Sequence, residues 1–157
     1  MWVWSETAVS ERTAVPTQRQ NGAPLENRPH LAGEIDAARG NFDRAIAHLE
    51  RAVRLEDALI YTEPFEFNAP PRLTLGAILL EAGRPDEAET VYWEDLRRNR
   101  DNGWALFGLM QALRAQGRHD QAALIEARFR NAWKRADVEL KASRFGREST
   151  RPSGPPS

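Results

Sequence analysis

Arg39-Gly-Asn-Phe-Asp-Arg-Ala45 returns with the same skeleton as Ala82-Gly-Arg-Pro-Asp-Glu-Ala88 and again as Gln116-Gly-Arg-His-Asp-Gln-Ala122. Each copy reads Gly, two residues, Asp, one residue, Ala. A Gly at such a place takes the left-handed conformation that ends a helix, and the Asp then falls in the first turn of the next one. Each copy therefore marks a bend between two helices. Gly83 and Gly117 lie 34 residues apart, whereas Gly40 and Gly83 lie 43 apart. A period of this size is that of stacked helix pairs, and the longer gap implies an insertion between the first two copies.

The sequence around these bends has helical period. Phe42, Ala45, Ile46, Leu49, Ala52 and Val53 recur every three or four residues and share one face. Ala88, Val91, Tyr92 and Leu96 do the same, as do Ala122, Ile125, Phe129, Ala132, Trp133, Ala136 and Leu140. Pro85 suits the first turn after the Gly83 bend. No alternating run points to a strand. The spacing predicts helices near 27–39, 42–56, 70–82, 85–99, 102–116 and 119–142, the last being a long, basic helix that caps the array. A single pair cannot bury its own apolar side, so about three pairs must stack to make one core. Residues 1–25 read as an extended or disordered arm carrying Trp2 and Trp4, 26–143 as the helical domain, and 144–157 as a disordered tail. Within the domain the repeats fall at about 26–57, 69–101 and 102–142, with 58–68 as an insertion loop.

Composition narrows the function. The chain has 157 residues, 41% of them hydrophobic, enough for a core. It has no cysteine, which excludes disulfides and thiolate metal sites. No apolar run is long enough to span a bilayer, and the first residues lack the pattern of a secretory signal. A cytoplasmic location is expected. Net charge is −1, which argues against nucleic acid as a partner. The charge is polarised: Leu31–Glu66 carries −4 and Arg118–Arg147 carries +4. These are either solvated helix faces or ends able to stack on one another. His30, His48 and His119 are scattered, and two groups such as His30 and Glu34 do not make a catalytic metal site. There is no phosphate-binding glycine loop or hydrolase motif. The chain is therefore expected not to be an enzyme and to need no cofactor or metal.

On the three Gly…Ala motifs, the 34-residue period and the Leu75-Gly76 pair, the chain resembles the tetratricopeptide repeat family. Trp104 and Gly108 fall two residues earlier than that pattern asks, and Asp57 and Arg100 stand where the family usually closes a repeat with Pro. The resemblance covers about residues 26–140. The stretches beginning Glu56-Asp-Ala-Leu and Tyr92-Trp-Glu-Asp look like the C-terminal end of larger bacterial proteins of this class. The fold implied is an all-α, right-handed superhelical array of about three antiparallel helix pairs, an α-solenoid. The resemblance further implies a concave groove lined by the first helix of each pair. Its residues here would be Trp104, Phe107, Gln111 and Arg114 in the last pair, Leu73 with Glu81 in the middle pair, and His30 with Glu34 in the first. Trp104, Phe107 and Leu73 also suit ordinary core. The insertion offers a second surface in Tyr61, Phe65 and Phe67, rings that either bind a partner or fold back on the array. The expected partner is a protein or peptide segment. Alternatives are a self-associating unit, joined through its first repeat or end to end, and part of an enzyme whose active site lies upstream.

Overall fold

A computed structural model describes residues 28–58, 70–136 and 139–144. Six helices follow one another: α1 (Pro29–Ala38), α2 (Phe42–Ala58), α3 (Pro71–Glu81), α4 (Pro85–Arg98), α5 (Gly103–Ala115) and α6 (His119–Trp133). No strand occurs among the described residues. Each helix packs on its neighbour in sequence, so the molecule is an α-solenoid of three stacked pairs.

The three bends are built alike. Gly40, Gly83 and Gly117 have φ of 80°, 73° and 74°. In each, the glycine N–H donates to the carbonyl three residues back and the next N–H to the carbonyl five back: Gly83 to Leu80 at 3.1 Å and Arg84 to Leu79 at 2.9 Å, for example. This double closure satisfies the last carbonyls of the helix. A Cβ on Gly83 would touch nothing within 4 Å, so only the backbone conformation resists substitution. Gly83→Ala is expected to lower stability by about 1–2 kcal/mol, and Gly83→Asn by less, in urea unfolding followed by circular dichroism.

The alanines five residues on, Ala45, Ala88 and Ala122, are at most 1% exposed. Their small side chains let paired helices approach closely. Pro29, Pro71 and Pro85 each open a helix, where a missing N–H costs nothing. Asn102 caps α5, its side-chain oxygen accepting from the Trp104 N–H at 3.2 Å.

The middle helix decides the architecture. All nine residues Pro71–Leu79 are buried, and the stretch has no polar face. Its polar members, Arg72 and Thr74, are buried with the rest, so the helix is enclosed on all sides. It packs on α1, α2, α4 and α5. The odd-numbered helices also touch one another, α1 on α3 and α3 on α5, while among the even-numbered ones none touches another. A stack whose odd helices meet and whose even helices splay is curved, with α1, α3 and α5 on the inside.

The structure corrects the last helix. The period predicts 119–142, but α6 ends at Trp133. No seventh helix among the described residues covers its far side, so a longer α6 would leave Leu140 in water. The chain instead turns, with the Ala136 N–H on the Trp133 carbonyl at 3.0 Å. It comes back to bury Leu140 and Ser143, 8% and 1% exposed. Burial overrides local helical preference here.

Candidate functional site

The inner layer α1–α3–α5 is the site the fold offers. It is pinned from behind by Tyr92 of α4, which is fully buried. Its ring passes between α3 and α5 at two glycines. A Cβ on Gly76 would lie 2.5 Å from the ring's Cζ, and one on Gly108 would lie closer still. Two glycines inside helices cost helix stability, and this close approach is what they permit. Burial pushes the phenol's pKa up, so it stays neutral. Its hydroxyl, the atom farthest from α4, hydrogen-bonds Ser143 Oγ at 2.5 Å. Ser143 therefore lies on the inner side of the α3–α5 layer. Arg144 then donates to Glu81 Oε1, at the end of α3, at 2.8 Å.

The residues expected to line the groove divide into two groups. On the α1–α3 side, His30 Nε2 meets Thr74 Oγ1 at 3.1 Å and ties the two helices together. Burial lowers the His30 pKa, opposed by the Glu34 carboxylate, so the ring is neutral at physiological pH. Glu34 is half-buried, Leu73 is buried, and Glu81 holds Arg144. On α5 the stripe turns toward α6. Trp104 meets Trp133 edge-on at 5.8 Å between centroids, and Phe107 lies 5.6 Å from Phe129. Phe129 in turn stacks on Trp133 at 5.8 Å. Arg114 pairs with Glu126 at 2.7 Å, and Gln111 is half-buried. Tyr61, Phe65 and Phe67 lie outside the described residues.

Sequence reasoning places Tyr92 in the core and misses its reach, along with Leu140, Ser143 and Arg144. The pair of mid-helix glycines around one buried aromatic is the signal that points to Tyr92. Nothing in the composition after the predicted last helix marks Ser143 or Arg144.

A second cluster joins three helices outside the groove. Arg72 of α3, only 8% exposed, donates to both carboxylate oxygens of Asp57 at 2.6 and 2.7 Å. Arg98 of α4 also bonds Asp57. Burial tends to raise the Asp57 pKa, but the two guanidiniums together hold it below the usual carboxylate range. Among the described residues, no three His, Asp or Glu side chains converge as metal ligands.

Stacked helix pairs, a shared glycine bend and a curved inner layer define a helical-repeat protein. A tetratricopeptide repeat profile matches residues 36–92 and a second matches 103–123, so the stacked pairs are tetratricopeptide repeats. Its fold is similar to the crystal structure of MamA protein, with a TM-score of 0.57 at 16% sequence identity. That match covers 73% of this chain, which spans 60% of the length of the MamA chain. No curated protein matches.

Proposed function

We propose that this protein is an interaction module that takes a protein segment along the inner face of α1, α3 and α5. Tetratricopeptide repeats generally mediate protein–protein contacts, and repeats of this kind are typically non-catalytic. The observation that carries the reading is the continuous inner layer made by contact of α1 with α3 and α3 with α5. Glu34 and Glu81 give it acidic points suited to a segment bearing Lys or Arg. In the test, tagged chain captures proteins from the cell it comes from, and direct titration follows. Glu34→Arg with Gln111→Glu is expected to weaken capture at least about tenfold, a loss of about 1.4 kcal/mol, with helicity unchanged. Capture undiminished by the double change removes the groove from consideration and moves attention to the segment holding Tyr61, Phe65 and Phe67.

Self-association is a second reading. It rests on Leu124, which is 70% exposed on α6, the last of the described helices. Light scattering is expected to show a dimer that Leu124→Glu dissolves. A monomer at every concentration and ionic strength rejects it.

A further inference from the structure

Residues 139–144 do something the repeat does not require. They follow the end of α6, and Ser143 and Arg144 reach the side of α3 and α5 where the Tyr92 hydroxyl emerges. The side chains of Leu140, Ser143 and Arg144 attach them. Leu140 is buried. Ser143, 1% exposed, meets the Tyr92 hydroxyl where it emerges between Gly76 and Gly108. Arg144, its side chain 13% exposed, pairs with Glu81. The stretch is not helical, and its last two residues sit against the inner layer. Its backbone bends through 141–144, which turns Ser143 and Arg144 onto Tyr92 and Glu81.

We propose that Glu139–Arg144 is the resident occupant of the groove, an intramolecular strap that an incoming segment must displace by offering the same three groups: an apolar side chain, a hydroxyl three residues on, and a guanidinium next to it. The proposal rests on reading the inner face as a binding groove.

Two physical points favour a displaceable strap over a permanent one. Its polar anchor is imperfect: Arg144 Nε is buried with no hydrogen-bond partner. A buried donor left unsatisfied weakens the contact that buries it. Second, the strap is tethered to α6 by a few residues, so it faces the groove at an effective concentration near the millimolar range. Modest contacts then suffice to keep it docked, and a partner's intrinsic dissociation constant is divided by the fraction of chains in which the strap is out. Charge complementarity sets what replaces it. Glu81 selects a cation, and the neutral Tyr92 phenol, which serves as donor or acceptor, selects a hydroxyl.

The chain has no cysteine. Ser143→Cys therefore places a single thiol inside the contact of the full-length protein. Ala123→Cys, on the exposed face of α6, is the control. The thiol of the Ser143→Cys chain is expected to react with a maleimide at least about tenfold more slowly than that of the Ala123→Cys chain, in keeping with a docked tether. Adding Arg144→Glu to Ser143→Cys is expected to abolish most of that protection. Adding Glu81→Arg to that variant is expected to restore it, which a merely disrupted fold would not do. The second arm uses a labelled peptide Glu-Leu-Lys-Ala-Ser-Arg, copied from 139–144. It is expected to bind the full-length Arg144→Glu chain at least about tenfold more tightly than the parent, whose strap competes. Equal labelling at positions 143 and 123 overturns the strap while leaving a groove for partners intact. Protection that disappears on dilution assigns the contact to a second copy and overturns an intramolecular strap. A protected thiol at position 143 with a peptide that never binds either chain overturns displacement, and the segment is then part of the fold.

Discussion

Tyr92→Ala is expected to cost about 3–5 kcal/mol, the usual loss for a fully buried large aromatic, and to unfold much of the chain at physiological temperature. The ring has no substitute in the array. It fills the gap between α3 and α5 that two glycines leave open, and the gap cannot collapse without moving both helices. Tyr92→Phe separates packing from hydrogen bonding. It keeps the ring and leaves Ser143 without its partner, so a loss of only about 1 kcal/mol is expected. Urea denaturation of both variants, followed by circular dichroism, checks this. A Tyr92→Ala chain as stable as the parent would mean that α3 and α5 are not joined through this ring.

Asp57→Ala is expected to cost about 2–3 kcal/mol. Removing one partner of a buried pair costs about 3–5 kcal/mol, but Asp57 is 33% exposed and water recovers part of that. The damage falls on Arg72, whose guanidinium sits 10% exposed within α3 and loses its bidentate acceptor. Replacing both by Asp57→Leu and Arg72→Met is expected to be close to neutral, because the desolvation of two charges disappears with their attraction. The same cluster makes a pH prediction. Arg72 and Arg98 hold the Asp57 pKa below its ordinary 3.8. Its contribution is therefore fully present above that ordinary value and is lost as pH falls through the depressed one. Thermal melts from pH 6 down to pH 3 are expected to show a smaller acid loss for Asp57→Ala than for the parent chain.

Much of the fold is legible in the sequence because its decisive features are local. A glycine that closes one helix and an alanine that packs in the next are set by backbone conformation and side-chain size, and both recur in all three copies. The central place of α3 is not read from the sequence; it emerges from the burial of Pro71–Leu79 and the helices packed around it. The end of the array is not legible. Ala136 and Leu140 continue the apolar stripe of α6, and whether that stripe stays helical depends on a neighbour that the described chain does not supply. The groove is half legible. Spacing puts Trp104, Phe107 and Arg114 on one stripe of α5, but which element faces that stripe is a tertiary matter, and Phe129, Trp133 and Glu126 of α6 occupy it. Glu81, adjacent to the repeat positions that the resemblance supplies, holds an arginine of the chain itself, 63 residues away.

The account turns on α3 being enclosed by the helices stacked around it, with the ends of the row least protected. In a linear stack, each pair is held by its nearest neighbours alone, so the terminal pairs open first. Native-state amide hydrogen exchange reads this directly. The slowest amides are expected in α3, with α1 and α6 exchanging faster. Exchange in α3 as fast as in α1 or α6 would contradict it.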